Sequence, residues 1–283
     1  MPSVGTAAVI GGGVIGGGWV ARLSHNGIDV NVFDPDPDAA RKLAGILAIA
    51  EQAQAKLITA PRPSPGRIYH CATLAEAVAP AQFIQESAPE RLDIKRAIHK
   101  NIDAHASPDA LIGSSTSGLL PTDIQADMGR PERMFVAHPY NPVYLLPLVE
   151  LVAGKATAPE TIERARALFQ QLGMKPVVIR KEIDAFVGDR LLESVWREAL
   201  WLLKDDVATV EEIDDIIRYS FGLRWAQMGL FMTYRLGGGE AGMRHFLEQF
   251  APSLHWPWTH LMDVPDLDDA LINKIADQSD AQA

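Results

Sequence analysis

Short apolar runs alternate with stretches of helical spacing over roughly the first two thirds of the chain. A helix is predicted over Val14 to Asn26, with Gly27 just beyond its end. The apolar runs predict strands at residues 6–11, 28–33, 82–87, 110–115, 133–138, 146–152 and 175–180. Strands that alternate with helices in this way favour an α/β fold with a doubly wound, mostly parallel sheet.

The pattern changes after residue 180. From Asp184 onward, apolar residues recur at helical spacing, with Val187, Leu191, Val195 and Ala199 four residues apart. We therefore place a boundary near residue 182, which separates an α/β domain over residues 1–182 from an all-helical domain over residues 183–283. A Pro-rich stretch at residues 61–66 is the candidate linker within the first domain.

Two sequence patterns predict where helices begin. Thr157 and Glu160 have the spacing of a capping box, which predicts a helix that stops at Gly173. Thr209 and Glu212 form the same pattern and predict a second helix that ends near Gly222.

Composition and charge exclude several classes of protein. The 283 residues are 47% hydrophobic and 22% charged, as in globular proteins, and the formal net charge of −10 disfavours a nucleic-acid partner. The apolar N-terminus lacks the basic residues of a signal peptide, and no run of eighteen apolar residues predicts a membrane span. Cys71 is the only cysteine, so no internal disulfide can form, and a cytoplasmic location is expected.

A glycine cluster follows the first predicted strand and opens the first helix. Residues 11–16, GGGVIG, fit the pattern G-x-G-x-x-G through Gly11, Gly13 and Gly16. In this pattern, the glycines permit a tight turn, a close approach of the backbone to a pyrophosphate, and close packing of helix on strand. Val14 and Ile15 complete the predicted phosphate-binding turn at the helix N-terminus. The first domain is thus predicted to have a Rossmann-type fold that binds a dinucleotide.

Asp34 closes the next predicted strand and selects the cofactor. Its carboxylate can accept hydrogen bonds from a ribose 2′-hydroxyl and repels a 2′-phosphate, so NAD is favoured over NADP. A less specific alternative is that Asp34 caps a helix that begins near Pro37. No cluster of Cys and His at ligand spacing predicts a metal site.

A histidine and a glutamate lie twelve residues apart in the segment HPYNPVYLLPLVEL. We expect His138 to follow a strand at the carboxyl edge of the sheet, where ligands bind in this fold class. Glu150 lies in an adjacent apolar strand, where an ionised carboxylate needs a partner. A glutamate behind a histidine orients the imidazole and stabilises its protonated form, so the two residues are predicted to act as a general base. The alternative is a structural histidine and an unrelated glutamate.

Five motifs in the same order resemble those of the 3-hydroxyacyl-CoA dehydrogenase superfamily: GGGVIG, QESAPE, SSTSG, HPYNP with Glu150, and FVGDRL. The resemblance covers residues 6 to about 265. It implies that His138 and Glu150 are the catalytic dyad, and that Ser117 and Asn141 bind the reacting oxygen. It also implies that Glu86, Lys95 and Ser115 lie on the cofactor side, and that the second domain forms a homodimer.

The chain differs from the acyl-CoA enzymes of that superfamily in two ways. The stretch between Asp38 and Arg67 is shorter and has few basic residues, which disfavours CoA. Asp189 also stands where those enzymes have asparagine, and a carboxylate there suits a cationic substrate or, alternatively, a salt bridge within the helix. Aromatic faces for cation–π contacts are expected from Tyr140, Tyr144, Phe186, Trp225 and Phe231, although each can instead be a core residue.

Within the superfamily, the segments SSTSGLLPTDIQ and HPYNPVYLLPLVELV are most similar to the branch that acts on L-carnitine. This similarity implies oxidation of the 3-hydroxyl group of a small cationic hydroxy acid, with NAD as the hydride acceptor. The alternatives are oxidation of gulonate or of a 3-hydroxyacyl-CoA. A non-catalytic, crystallin-like protein that binds NADH is the alternative from another class.

Overall fold

The computed structural model describes residues 4–59, 62–250, 257–259, 266 and 268–274. Pro61, the first residue of the predicted linker, lies outside the described residues, as does the predicted second domain after residue 274. The chain divides into two compact units, Met1–Asp189 and Arg190–Ala283.

Over its described residues, the first unit has eight strands and the helices that connect them. The strands are β1 Thr6–Ile10, β2 Asp29–Phe33, β3 Ile68–His70, β4 Phe83–Glu86, β5 Leu111–Ser114, β6 Met134–Pro139, β7 Leu148–Ala153 and β8 Lys175–Ile179. The helices are α1 Val14–His25, α2 Ala39–Leu57, α3 Leu74–Val78, α4 Leu92–His105, α5 Pro121–Ile124 and α6 Pro159–Gln171. Two short 3₁₀ helices, Gln125–Asp127 and Pro131–Arg133, precede β6.

All eight strands form one sheet in the order β3-β2-β1-β4-β5-β6-β7-β8. Every neighbouring pair is parallel except β6 and β7, which are antiparallel. Because β1, β4, β5 and β6 run in the same direction, the loops that follow them meet at one edge of the sheet. The predicted doubly wound, mostly parallel fold is confirmed.

The two faces of the sheet each bury a separate core, because successive side chains of a strand point to opposite faces. Ala7 and Val9 of β1 belong to the first core, while Ala8 and Ile10 belong to the second. Phe169 of α6 lies in the first core and contacts three aromatic rings, with centroid distances of 5.6 Å to Trp19, 5.6 Å to Phe83 and 6.5 Å to Phe135. The second core includes Ala77 of α3, Ile102 of α4 and Ile124 of α5.

The second unit is helical over its described residues. Its helices are α7 Gly188–Lys204 (which begins two residues before the unit does), α8 Val210–Tyr219, α9 Phe221–Gly237 and α10 Gly242–Phe250. A 3₁₀ helix spans Gly239–Ala241, and residues 269–274 are helical. Gly229 has φ of 75° inside α9 and kinks that helix.

The helix boundaries confirm some predictions and correct others. Thr209 and Glu212 form the predicted capping box of α8, whereas Thr157 does not cap α6. Its hydroxyl donates to the carbonyl of Met134 at 2.6 Å and accepts from the amide of Gly154, so it is not available to the helix. The helix predicted to end near Gly222 ends at Tyr219, because the backbone of Ser220 is not helical.

The helix predicted from Asp184 begins only at Gly188. Ala185 and Phe186 adopt the left-handed conformation, with φ of 58° and 48°, and therefore cannot belong to a right-handed helix. This conformation brings the start of α7 against Glu150, as described below.

Candidate active site

The glycine-rich turn between β1 and α1 has the geometry that its sequence predicts. Gly11 has φ of +94°, and a Cβ atom there would lie 2.6 Å from the carbonyl oxygen of Ser87. A Cβ atom on Gly16 would lie 1.7 Å from the carbonyl oxygen of Gly11, so the helix and the turn touch through backbone atoms alone. A Cβ atom on Gly13 would meet no atom within 4 Å, which leaves space for a ligand beside the first amides of α1.

A cleft of about 1080 Å³ opens at this turn. It is lined by Gly11, Gly13, Val14, Ile15 and Asp34, among others, so it collects most of the residues predicted to bind the dinucleotide. Both the volume and the glycine backbone fit an extended dinucleotide with its pyrophosphate at the N-terminus of α1.

Asp34 lies directly after β2, at the wall of this cleft. Its Oδ2 atom accepts a hydrogen bond from the Gly12 amide at 2.6 Å, and its Oδ1 atom accepts one from the Asp36 amide at 2.8 Å. These bonds fix the carboxylate in the position where the ribose is expected. Asp34 does not cap α2, because Asp38 is the residue that precedes that helix.

Ser115 lies beneath the turn, just after β5. Its hydroxyl is within hydrogen-bond distance of Trp19 Nε1 at 3.0 Å, Gln85 Nε2 at 2.7 Å and Ser87 Oγ at 2.9 Å. These bonds join α1, β4 and the β5 loop below the predicted pyrophosphate position. Ser115 therefore supports the floor of the cleft, and its role as a direct ligand stays a prediction.

Glu86 and Lys95 form a buried ion pair rather than an exposed cofactor contact. Lys95 Nζ lies 2.8 Å from Glu86 Oε1, and both side chains are at most 1% exposed. Glu86 also accepts hydrogen bonds from Ser114 at 2.6 Å and lies 3.1 Å from His99 Nε2. Burial favours a raised pKa for Glu86, but the bond with His99 and the charge of Lys95 outweigh it and lower the pKa to about 2. The cofactor-binding roles predicted for Glu86 and Lys95 stay predictions.

His138 and Glu150 lie opposite each other on β6 and β7. His138 Nδ1 is 2.9 Å from Glu150 Oε2, and both side chains are almost fully buried. His138 is predicted from the sequence to follow the strand, but it is the last but one residue of β6. Its predicted position at the carboxyl edge of the sheet is unchanged by this correction. A protonated Nδ1 that donates to Glu150 leaves Nε2 as the acceptor nitrogen.

Glu150 has three further hydrogen-bond donors. Its Oε1 atom accepts from the amides of Gly188 at 3.0 Å and Val187 at 3.2 Å, and Oε2 accepts from the hydroxyl of Tyr140 at 3.3 Å. Burial alone would raise the pKa of Glu150, but the bonds from His138, Gly188 and Val187 outweigh it and hold the pKa below its usual value. Glu150 is therefore an anion at neutral pH.

A second carboxylate lies near the other nitrogen of the imidazole. Asp189 Oδ2 is 3.8 Å from His138 Nε2. Burial and the charges of Glu150 and Asp189 raise the pKa of Tyr140, which therefore stays a phenol. His138 thus lies between two carboxylates, one hydrogen-bonded to Nδ1 and one 3.8 Å from Nε2.

The loop after β5 carries Ser117 and is held by Glu90. The Oε1 atom of Glu90 accepts hydrogen bonds from the amides of Ser117 at 3.0 Å and Gly118 at 3.2 Å, and from the hydroxyl of Thr116. Ser117 is exposed, three residues beyond Ser114, whose strand partner on β6 is Val136. Ser117, just after β5, and His138, near the end of the neighbouring β6, therefore lie at the same edge of the sheet.

Asn141 follows β6 in an exposed position and is joined to Pro142 by a cis peptide bond. It lies three residues after His138, so the backbone places it at the same edge of the sheet. The hydrogen bonds predicted from Asn141 and Ser117 to a substrate oxygen stay predictions.

The predicted substrate-binding aromatic residues fall into different surroundings. The ring centroids of Tyr140 and Phe186 lie 5.0 and 5.7 Å from that of His138. Phe186 is fully buried against Val136 and Val152, so its ring is part of the core. The backbone carbonyl of Tyr144 accepts a hydrogen bond from the side chain of Gln54 in α2.

Two of those aromatic residues belong to the second unit. Trp225 packs on Phe221 at a centroid distance of 4.7 Å and lines a cavity among α7, α8 and α9, while Phe231 is 77% exposed. Their predicted roles in substrate binding stay predictions.

The part of the chain that the structure describes lacks two kinds of feature. No group of three or more His, Cys, Asp or Glu side chains within it is arranged to hold a metal ion. None of its helices combines the length and the apolar character needed to cross a membrane.

The fold and the cleft together define a Rossmann-type dinucleotide-binding domain, which a helical unit follows in the chain. Residues 6–183 match the model of the 3-hydroxyacyl-CoA dehydrogenase NAD binding domain, and residues 186–267 match the model of the 3-hydroxyacyl-CoA dehydrogenase C-terminal domain. The chain belongs to the 3-hydroxyacyl-CoA dehydrogenase family. The predicted family and the predicted cofactor, NAD, are thus confirmed.

Curated relatives within this family are similar over the whole chain. An L-carnitine dehydrogenase/betainyl-CoA thioesterase of Rhizobium meliloti is 64% identical over 283 residues, which are 100% of this chain and 57% of the relative. An L-carnitine dehydrogenase of Mesorhizobium japonicum is 61% identical over 100% of this chain and 78% of the relative. The chain therefore spans little more than half the length of the two-function relative.

Solved structures show the same fold at lower identity. The crystal structure of 5-formyl-3-hydroxy-2-methylpyridine 4-carboxylic acid 5-dehydrogenase, an NAD⁺-dependent dismutase, superposes with a TM-score of 0.82 at 28% identity, over 97% of this chain and 86% of the other. The (S)-3-hydroxybutyryl-CoA dehydrogenase of Ralstonia eutropha has a TM-score of 0.67 at 26% identity, over 89% of each chain.

Proposed function

We propose that the chain is an NAD-dependent dehydrogenase that oxidises the 3-hydroxyl group of L-carnitine to a ketone. The observation that carries the proposal is the pair of carboxylates around His138, with Glu150 on Nδ1 and Asp189 3.8 Å from Nε2. L-carnitine combines a hydroxyl group that must lose a proton with a quaternary ammonium group that a carboxylate attracts. The names of the relatives described above support the same substrate.

In the proposed reaction, Nε2 of His138 accepts the proton of the 3-hydroxyl group. Bound NAD supplies the hydride acceptor for the hydrogen on C3, so the products are a ketone, NADH and one proton. Glu150 holds the imidazole in the tautomer that leaves Nε2 free and stabilises the imidazolium that forms. We propose that Ser117 and Asn141 orient the hydroxyl oxygen, and that Asp189 attracts the trimethylammonium group, with Tyr140 beside it.

CoA esters are a less favoured substrate class. Four of the five basic side chains between residues 38 and 67 are paired with carboxylates of the chain itself: Arg41 with Asp38, Lys42 with Asp36, Arg62 with Glu51 and Arg67 with Asp29. These pairs neutralise positive charges that would otherwise attract the phosphates of CoA. A sugar acid such as gulonate is also less favoured, because an anionic polyol gains nothing from Asp189.

The test is the rate of NADH formation from NAD with a panel of L-carnitine, D-carnitine, L-gulonate and 3-hydroxybutyryl-CoA. We expect selective turnover of L-carnitine. Turnover of gulonate or of the CoA ester instead would contradict the proposed substrate, while NADH binding without turnover of any substrate would favour the non-catalytic alternative.

Asp189→Asn tests the cationic pocket in the same assay. We expect kcat/KM for L-carnitine to fall at least about tenfold, which corresponds to about 1.4 kcal/mol of lost attraction. Glu193→Gln is the control, because it removes an exposed carboxylate that pairs with Arg197 on the same helix. Equal effects of the two substitutions would argue against a role for Asp189 in recognition.

We further propose that residues 1–182 form the cofactor domain and residues 183–283 a substrate-binding and dimerisation domain. The helical unit has large apolar side chains at its surface, with Trp196 50% exposed and Tyr219 71% exposed. Sedimentation of the purified protein at the mass of a monomer would contradict a homodimer. The cytoplasmic location stays a prediction from the single cysteine.

A further inference from the structure

The two strands that carry His138 and Glu150 are joined by residues 140–147, here called the dyad loop. It contains Asn141 and has no strand or helix of its own. Within the dyad loop, the amides of Leu145 and Leu146 both donate to the carbonyl of Pro142 at 2.9 Å. Two internal hydrogen bonds are few for eight residues, so other elements must hold the loop in place.

A buried arginine on the cofactor-binding helix α1 provides such support. The guanidinium of Arg22 donates from Nε to the carbonyl of Val143 at 2.7 Å and from Nη2 to the carbonyl of Leu146 at 3.1 Å. Its Nη1 atom donates to the carbonyl of Leu172, at the end of α6, at 3.2 Å. The side chain is 8% exposed, and burial lowers its pKa to about 10, so it remains a cation at neutral pH.

Two neighbouring contacts support the same loop. Gln54 of α2 donates to the carbonyl of Tyr144 at 3.0 Å. Gly18 of α1 lies so close to the dyad loop that a Cβ atom there would be 2.9 Å from Cβ of Val143. The carbonyls of Val143, Tyr144 and Leu146 are thus all bound by side chains from helices α1 and α2.

We propose that Arg22 is a positioning residue, which holds the dyad loop so that Asn141 and His138 face the substrate. This proposal rests on the proposed function, since it assigns Asn141 to the substrate oxygen. The N-terminal end of α1 lies at the cofactor cleft, and Arg22 lies two turns further along the same helix. One rigid helix therefore sets the position of the cofactor turn and of the dyad loop together.

Arginine is suited to this task because its planar guanidinium donates in several fixed directions at once. Lysine keeps the charge, but its single ammonium group cannot reach three separate carbonyls with the same geometry. Arg22→Lys is therefore expected to loosen the dyad loop while it leaves the amides at the start of α1 in place.

The first measurement is hydrogen exchange, followed by mass spectrometry, of peptides that cover residues 140–147. It needs no substrate, so its result does not depend on the proposed function. In Arg22→Lys we expect exchange at Leu145 and Leu146 to be at least about tenfold faster than in the wild type. Of the bonds to the dyad loop, Gln54→Met removes only the one to Tyr144, and it also removes the bond that Gln54 accepts from Arg62. It should give a smaller increase in the same peptides, and it tests the proposal if Arg22→Lys does not fold.

The second measurement is steady-state kinetics with the hydroxy acid that the wild type oxidises in the substrate panel. We expect kcat of Arg22→Lys to fall roughly tenfold to a hundredfold, because small displacements of a positioning group are costly, while KM for NAD changes less than about twofold. Failure of the wild type to oxidise L-carnitine would reject the proposed substrate but not the hydrogen-exchange result.

Arg133→Lys is the matched control. Arg133 is also buried and binds the carbonyls of Asp103 and Ser107, but it lies at the opposite edge of the sheet. Equal losses of kcat in the two variants would overturn the proposal, because general destabilisation would explain both. Unchanged exchange of residues 140–147 in Arg22→Lys would also overturn it, as would faster exchange with unchanged kcat.

Discussion

Glu150 has an unusual number of partners for a carboxylate between two strands. Its two oxygens accept from His138, Tyr140, Val187 and Gly188, so the ion is buried without being unsatisfied. The amides come from the start of α7, where a helix favours a negative charge. The same carboxylate therefore orients the imidazole and fixes the segment that leads to Asp189.

Substitutions within this pair are expected to affect turnover far more than cofactor binding. Glu150→Gln keeps the shape of the side chain but loses the charge that stabilises the imidazolium, so kcat should fall about 10²- to 10⁴-fold. His138→Ala should lower kcat at least as much. NADH binding, followed by fluorescence, should change little because the cleft lies at β1 and β2.

Tyr140→Phe is the control for the substitutions of His138 and Glu150. It removes only the 3.3 Å bond from the phenol to Glu150 and leaves the bond between Glu150 and His138 in place. We expect a loss of kcat below about tenfold. Near-normal turnover of Glu150→Gln would show that the pair is structural.

At the scale of elements, the sequence correctly predicts the helix ends that depend on a single local residue. Gly173 lies two residues beyond the end of α6, with φ of +69°, and Gly27 lies two residues beyond α1, with φ of +79°. Where a side chain has a choice of hydrogen-bond partners, the local sequence pattern is insufficient to predict where the helix begins. Thr157 matches a capping box in sequence, yet its hydroxyl binds Met134 of β6, and α6 begins at Pro159 instead.

Two glycine substitutions are expected to have opposite effects on stability. Gly173→Ala places a Cβ atom on a left-handed residue and should lower the free energy of unfolding by about 1–2 kcal/mol. Gly45→Ala, inside α2, should raise it by roughly 0.5–1 kcal/mol. A Cβ atom at either position meets no atom within 4 Å, so the comparison isolates the backbone effect. Urea unfolding of both variants checks the prediction, and equal signs would contradict it.

At the scale of the whole molecule, one buried charge cluster links several elements of the first unit. Glu86 of β4 binds Lys95 and His99 of α4 and Ser114 of β5. Lys95 also lies 3.4 Å from Glu90, which holds the loop of Ser117. A group whose pKa is lowered by folding stabilises the native state above its unfolded pKa, and this stability is lost as the pH falls through the folded pKa.

The stability of the protein should therefore depend on Glu86 in acid. Because its pKa falls from 4.5 to about 2 on folding, its contribution is complete at neutral pH and declines below about pH 4.5. Glu86→Gln should be less stable than the wild type at pH 7, and the difference should shrink by about 2 kcal/mol from about pH 5 to about pH 3.

The measurement is urea unfolding of both proteins across this pH range. Glu163→Gln is the control, because it removes an exposed carboxylate whose pair with Arg166 spans 3.8 Å. Its difference from the wild type should stay within about 0.5 kcal/mol at every pH. A difference for Glu86→Gln that does not vary with pH would contradict the assigned pKa.

The local sequence was sufficient for the alternating pattern, the glycine turn with Asp34, and the candidate pair of His138 and Glu150. Each depends on residue type and spacing along one short segment, which physical rules relate directly to backbone geometry.

Long-range packing decided the rest. The left-handed residues 185 and 186 precede amides that bind Glu150 from 37 and 38 residues away, and Glu86 is buried against Ser114, 28 residues away. Arg22 is an example of a residue whose role depends on long-range contacts, since the carbonyls that it binds lie 121, 124 and 150 residues away in the sequence. Partners at such separations leave no periodic signal in the sequence, because only the folded backbone brings their atoms together.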